Sequence, residues 1–365
     1  MSSKKDKYNL KDKFFMSLAL NLARQMHGLT SSNPPVGCVI VKNNEVISFG
    51  QTGYNGRPHA EYNAIKNSKI DLKGSTMYVS LEPCSHYGYT PPCTNNIIKA
   101  GIKKLYFAIN DTDIRSSNKA KKILNLKKIV VKRFLLKQQA KNLYKQYFFS
   151  KKYNIPYVFG KIACSKDNFI STKNRFITNK YSKSLTHLLR YYNQGILISS
   201  KTLNIDNSKL TCRLEGLEKY SPSRFVLDKN LSTKKNSYLI KTSKKFNTYI
   251  FYNKGDKYKI KYFKKKGVQL IPLKLTNNNF DLKFILKKIY LLGINRLLVE
   301  GGKNLTSKFL NSNLFNEFYL FKSNLKLSTK GQNNISALIN QLSSKFKSSK
   351  KIDTYLDKDQ LIYYY

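Results

Sequence analysis

Short apolar runs rich in β-branched and aromatic residues alternate with helix-patterned segments along most of the chain, and this alternation restricts the fold more than any other feature. "VGCVIV" (36–41) and "VISFG" (46–50), joined by the polar Lys42-Asn43-Asn44-Glu45, have the pattern of a β-hairpin. Ahead of them, Phe14, Phe15, Leu18, Ala19, Leu22, Ala23 and Met26 fall on one helical face. After the hairpin the pattern predicts a helix from about 59, a strand over 77–82, a helix from about 93, a strand over 104–109 and further units to about 135. A lysine- and tyrosine-rich helix over 137–153 then leads to Pro156. Beyond it a second set begins, with strands near 157–163, 195–200, 224–228, 249–253, 268–273 and 296–300 and helices near 179–192, 280–292 and 303–311. Such alternation means sheets with helices on their faces. Two α/β domains, 1–150 and 151–365, are expected, since 365 residues suffice for two cores. No internal repeat is visible, and "FKKKGVQ" (263–269) reads as a solvated turn.

The net charge of +47 raises the possibility of a nucleic-acid partner, because clustered lysines neutralise phosphates. The lysines are instead scattered through every segment and travel with Asn, Ile, Tyr and Phe, the signature of an AT-rich coding bias. A phosphorylated small substrate suits the same field. Five cysteines without a regular framework exclude a disulfide-stapled secreted domain and favour metal or catalytic use in a reducing compartment. The start, "MSSKKDKYNLKDKFF", lacks an apolar signal core, and no apolar run approaches the roughly 18 residues of a membrane span. The expectation is a soluble, cytoplasmic protein.

Chemistry is concentrated in "PHAEYNAI" (58–65) and "LEPCSHYGYTPPC" (81–93). A catalytic zinc takes three protein ligands and keeps a position open, and His59, Cys84 and Cys93 supply a permitted set. Glu61 stands two residues beyond His59 at the start of a predicted helix. Cys84 follows Pro83 at a strand end, and Cys93 follows Pro91-Pro92 at a helix start, where the dipole favours a thiolate. Zinc deaminases combine His-x-Glu with Pro-Cys-x-x-Cys, the glutamate carrying protons and not binding the metal. Here eight residues separate the two cysteines where those enzymes have two.

Together with "SNPPVGCVIV" (32–41), these segments resemble the deaminase half of the bifunctional riboflavin-biosynthesis deaminase/reductase family, in which a long Cys-to-Cys insertion is characteristic. The resemblance implies a cytidine-deaminase-like three-layer α/β/α domain with one zinc on His59, Cys84 and Cys93, Glu61 as proton shuttle, and Asn33 against the pyrimidine. His86 is assigned to substrate contact or loop structure, because a fourth protein ligand would close the site.

In the second half, "RLLVEGGKNLTSKFL" (296–310) is a strand running through Gly301-Gly302 into a helix, whose amino end attracts phosphate. "KIACSKDNFIS", "FITN", "HLLRYYNQGILISSKTLNIDNSKLTCR" and "RFVLD" occur in the order of the same family's reductase half, which implies a dihydrofolate-reductase-like α/β domain using NADPH. The resemblance places Ala163, Phe176, Thr202, Asp206 and the run Gly302, Lys303, Asn304, Leu305, Thr306, Ser307 and Lys308 at the cofactor. It turns Asn174, Arg190, Leu210, Arg213 and Glu300 toward the substrate. Arg190 and Arg213 make sense as phosphate clamps, since a guanidinium matches phosphate in a bidentate way. The sequence departs from the family at Asn168, where glycine is usual, at Phe176, where tryptophan is usual, and at Ser208, where proline is common; the segment between Asp167 and Phe176 is also shortened.

The implied activity is deamination of a phosphoribosylamino-pyrimidine, followed by reduction of its ribosyl group to ribityl. The implied partners are that small molecule and further copies of the chain, without nucleic acid or membrane. Two other readings stay open on the residues alone. One is a nucleic-acid base deaminase with a basic accessory domain, which the charge favours and the cysteine spacing opposes. The other is a noncatalytic zinc-stabilised binding protein, for which Glu61 would have no use.

Overall fold

The computed structural model describes residues 8–172 and 177–365. The chain divides into two compact units, Met1–Tyr153 and Asn154–Tyr365.

The first unit opens with α1 (Leu10–Gln25), whose Asn9 accepts the Asp12 amide as N-cap. Its buried stripe is Phe15, Met16, Ala19, Leu20 and Ala23, while Phe14, expected on that face, is 57% exposed. The hairpin follows as β1 (Gly37–Lys42) and β2 (Glu45–Gln51), turning through Asn43 and Asn44. Both asparagines have positive φ, the tight turn that matches strand twist. Then come α2 (Ala60–Asn67), β3 (Thr76–Val79), α3 (Cys93–Lys99), β4 (Lys104–Phe107), α4 (Ala120–Leu126), β5 (Val130–Arg133) and α5 (Lys137–Tyr153). The sheet order is β2-β1-β3-β4-β5, with the hairpin and the β1–β3 pair antiparallel and the remainder parallel.

Two glycines set the layers. A Cβ on Gly37 would stand 2.0 Å from the Ala19 carbonyl oxygen of α1, and one on Gly50 would stand 2.4 Å from the Ala64 nitrogen of α2. Gly50 pairs across with Cys38, the neighbour of Gly37, so the two glycines face opposite sides of the sheet. A helix therefore lies directly on each face, and the unit is an α/β/α sandwich.

The second unit contains β6 (Tyr157–Cys164), β7 (Phe169–Thr172), α6 (Lys180–Tyr191), β8 (Gly195–Ser199), α7 (Ser200–Asp206), β9 (Ser223–Leu227), α8 (Tyr238–Lys241) and β10 (Thr248–Tyr252). It continues with α9 (Lys257–Lys265), β11 (Gln269–Pro272), α10 (Leu282–Leu291), β12 (Arg296–Val299), α11 (Lys303–Asn311), β13 (Glu317–Lys322), β14 (Gly331–Asn334), α12 (Ser336–Lys345), β15 (Ser349–Lys351) and β16 (Gln360–Tyr364). Nine strands form one sheet in the order β11-β10-β9-β8-β12-β6-β13-β16-β15; the run from β11 to β13 is parallel and the last two strands are antiparallel. Strands β7 and β14 form a separate ribbon. Val158 on one face of β6 packs with Ile285 and Ile289 of α10 and Phe309 of α11, while Ala163 on the other packs near Leu185 and Leu189 of α6. "FKKKGVQ", expected as a turn, instead begins inside α9: Phe263 is fully buried, and the chain turns only after Lys265, at Gly267 with φ 91°. No helix among the described residues is long and apolar enough to cross a membrane.

Arg224 on β9 is completely buried and has no carboxylate partner among the described residues. Its guanidinium donates to Thr242 Oγ1 at 2.9 Å, Thr248 Oγ1 at 2.6 Å and the Leu239 carbonyl at 3.0 Å, with longer bonds to the carbonyls of Phe246 and Lys209. One side chain thus satisfies acceptors on three segments. Arg224→Met strands them, and the expected loss is about 2–4 kcal/mol of stability, read as a lower urea midpoint for the C-terminal unit at unchanged m-value.

Candidate active sites

Three turns converge in the first unit. His59 is the N-cap of α2, and its imidazole is free for other work because it makes no capping bond. Cys84 lies in the loop after β3, and Cys93 is the first residue of α3. Their ligand atoms all lie within 4.8 Å of one another. His59 Nδ1 is 3.3 Å from Cys93 Sγ and 3.5 Å from Cys84 Sγ, and the Cys93 amide donates to Cys84 Sγ at 3.2 Å. The Cys93 thiol donating to Cys84, with help from His59, holds Cys84 down near 4, whereas the same bond and burial push Cys93 up. One proton is thus shared between two thiols crowded together. Glu61, in the first turn of α2, is 3% exposed, and burial, with the Cys84 charge adding to it, pushes its carboxyl up to about 7. A carboxyl poised near neutrality can both take and give a proton at physiological pH.

These groups open on a cavity of about 500 Å³, within the range of small-ligand sites. Asn33 lines it and donates its amide to the Gly56 carbonyl at 2.9 Å, which fixes the side chain's orientation. His86 also lines the cavity, bonded through Nδ1 to Ser116 Oγ at 2.7 Å. Sequence reasoning missed Glu82, whose buried carboxylate accepts the amides of Asp111, Asn118 and Ala120 and so ties the loop after β4 to the turn that carries Cys84.

In the second unit Arg190 on α6 and Glu300, just after β12, form a two-pronged pair at 2.7 and 2.9 Å, and the remaining Arg190 amino group donates to the Thr211 carbonyl at 3.1 Å. Burial would raise the Glu300 carboxyl, but Arg190 outweighs it and holds Glu300 near 2. Lys161 on β6 joins this charged cluster, and burial pulls its pKa down. Arg213 is exposed, and its amide donates to His187 Nδ1. Leu210 is buried with φ 58°. Ala163 lies on β6, and Thr202 and the exposed Asp206 lie on α7. Gly302 is the N-cap of α11 with no side-chain cap, and a Cβ there would meet Thr202 Oγ1 at 3.4 Å. Along the run after Gly302, Lys303, Asn304 and Lys308 are exposed and Ser307 is half-buried, whereas Leu305 and Thr306 turn into the core. Asn168 adopts φ 67°, a conformation asparagine tolerates better than most residues, so the usual glycine is dispensable there. Asn174 and Phe176 lie outside the described residues.

Residues 10–109 match the cytidine and deoxycytidylate deaminase zinc-binding region, and residues 156–353 match the RibD C-terminal domain. The chain is 35% identical to the riboflavin biosynthesis protein RibD of Aquifex aeolicus, over 85% of this chain and 86% of that one. It is 34% identical to RibD of Actinobacillus pleuropneumoniae, over 84% and 82%. The chain belongs to the RibD family. Among solved structures it resembles Acinetobacter baumannii RibD with a TM-score of 0.83 at 26% identity, covering 97% of this chain and 98% of that one. It also resembles the diaminohydroxyphosphoribosylaminopyrimidine deaminase/5-amino-6-(5-phosphoribosylamino)uracil reductase of Thermotoga maritima, with a TM-score of 0.79 at 28% identity and the same coverage. Like its family, this RibD chain is a bifunctional enzyme of riboflavin biosynthesis, a deaminase joined to a reductase, acting on a small molecule with zinc and NADPH.

The donor chemistry of this RibD chain fits both groups. The imidazole nitrogen, 3.3 and 3.5 Å from the two thiol sulfurs, matches the roughly 3.5 Å nitrogen–sulfur edge of a tetrahedron built on bonds of about 2.0–2.3 Å. The uncapped amino end of α11 offers bare backbone amides to the phosphates of a dinucleotide.

Two outcomes follow for this RibD chain. Cys93→Ser should drop bound zinc from one per chain to a small fraction, measured by elemental analysis after gel filtration. Arg190→Ala leaves Glu300 charged and unpaired inside the protein, so the C-terminal unit should lose about 3–5 kcal/mol of stability, measured by urea unfolding.

Proposed function

We infer that His59, Cys84 and Cys93 hold the zinc of the deaminase and that Glu61 is its proton shuttle, within a deaminase domain spanning 1–150. Residues 151–365 form the reductase domain. The observation that carries this reading is the meeting of His59, Cys84 and Cys93 beside a buried Glu61 on the wall of one cavity. Zinc bound there lowers the pKa of a water toward neutrality. Glu61 accepts the proton from the attacking water and delivers it first to the ring nitrogen and then to the departing amine, which leaves as ammonia. Asn33 orients the pyrimidine through its side-chain oxygen while its amide stays on Gly56. The substrate is 2,5-diamino-6-(5-phosphoribosylamino)pyrimidin-4-one and the product 5-amino-6-(5-phosphoribosylamino)uracil.

In the second domain the cofactor rests on Ala163, Thr202, Asp206 and the turn from Gly302 to Lys308; Phe176, which the resemblance also assigns to it, lies outside the described residues. NADPH supplies hydride to the open-chain ribose carbonyl. Leu210, Arg213 and Glu300 face the sugar; Asn174, which the resemblance also assigns to it, lies outside the described residues. Arg190 serves by fixing the Glu300 carboxylate, since its own donors are taken by Glu300 and the Thr211 carbonyl. The enzyme works in the cytoplasm, consistent with five free thiols, and as a homo-oligomer that engages neither nucleic acid nor membrane.

Glu61→Gln separates the two activities. Zinc content should be unchanged and ammonia release should fall by about 10²–10⁴-fold, while NADPH oxidation with the deaminated substrate continues at the wild-type rate. Ammonia and NADPH absorbance are followed in separate assays; retained ammonia release would overturn the role of Glu61.

A further inference from the structure

Resting on the deaminase reading above, we propose that Arg57 selects the phosphorylated substrate in the N-terminal cavity by binding the phosphate at the far end of its ribose. A phosphoribosylamino-pyrimidine brings a doubly ionisable anion into this cavity, which is lined by three strong cations, Arg57, Arg115 and Lys151. Two of these are committed elsewhere. Arg115 grips the Asp113 carboxylate through Nε at 2.9 Å and Nη2 at 2.5 Å. Lys151 lies 5.7 Å from the centre of the Tyr147 ring, in the field of Asp111 and Asp113, so an anion reaching it also meets two carboxylates.

Arg57 differs in having no carboxylate partner among the described residues. Its Nη1 donates to Thr90 Oγ1 at 2.8 Å, and its guanidinium carbon lies 5.3 Å from the centre of the Tyr89 ring. A hydroxyl at one end and an aromatic face beneath hold the guanidinium plane without neutralising it. Gly88 lies alongside, where even a Cβ would make only an ordinary contact, 3.9 Å from Arg57 Nη2. A held, uncompensated guanidinium with donors to spare is suited to two-pronged recognition of phosphate. Arg57 also precedes the metal ligand His59 by two residues, and both line the same cavity, so one ligand can touch both ends. Thr90 and Tyr89 belong to the eight residues between Cys84 and Cys93. The insertion that distinguishes this cysteine pair from the two-residue spacing therefore carries the clamp for the selecting cation.

The test compares steady-state ammonia release by the zinc-loaded full chain on two substrates, the phosphoribosylamino-pyrimidine and the same pyrimidine with an unphosphorylated ribose. Arg57→Met should lower kcat/KM for the phosphorylated substrate by about 10- to 100-fold, through KM with kcat nearly unchanged, and leave the unphosphorylated substrate unaffected. Arg57→Lys should recover part of the loss, since it restores the charge without the fork. Arg115→Met and Lys151→Met serve as comparators. An equal loss on both substrates, no loss at all, or a phosphate-specific loss that follows Lys151→Met or Arg115→Met in place of Arg57→Met overturns the proposal and leaves the deaminase reading intact. Absence of ammonia release from the wild-type chain on the phosphorylated substrate overturns the deaminase reading, and this proposal with it.

Discussion

The close approach of α2 to the sheet at Gly50 is the contact on which the deaminase site depends. Backbone meets backbone there, with the Ala64 nitrogen and Ala60 oxygen where a side chain would otherwise stand. Nothing but hydrogen fits, so the helix axis is set by main-chain packing and not by adaptable side chains. His59 and Glu61 ride on the amino end of that helix, and a shift of an ångström at Gly50 would carry both away from the two cysteines. The cysteines are placed separately, Cys84 by the turn after β3 and Cys93 by the start of α3. Glu82 and its three amide donors hold the floor beneath them. Chemistry is thus suspended from three independent anchors, each made of backbone.

Much of this was legible in the sequence because the signals are local. The hairpin is announced by alternation around Asn43-Asn44, and the thiolate positions by prolines that break the chain just before each cysteine. The spacing of apolar residues marks the first helix and puts Phe14 on its buried face, as aromatic residues at that spacing usually are; the helix is rotated so that Met16 and Leu20 take its place. The ribbon and edge strands after 325 were not legible, since "GQNN", "SKK" and "QLIYY" carry little alternation, and their partners are set by register with distant strands.

Charge partnerships were the least visible. Arg190 and Glu300 are far apart in sequence, and either alone reads as a free charge available to a ligand. Folding brings them together and turns a candidate phosphate clamp into the brace of a carboxylate. Arg224 offers the converse case, a cation that looks like an ordinary strand residue and is buried among neutral oxygens. No periodicity distinguishes the two, because a pairing across the fold leaves no trace in the neighbouring residues.

The position of β6 has a consequence for biosynthesis. It is the first strand of the second unit to be made, yet it lies deep in the sheet, hydrogen-bonded on one side to β12 and on the other to β13. At ordinary elongation rates its partners leave the ribosome on the order of ten seconds later. Throughout that interval "YVFGKIAC" has both edges unsatisfied and its apolar faces uncovered. The central pairing of the reductase half is therefore completed only late in synthesis, whereas the strands of the deaminase half pair with near neighbours in the chain.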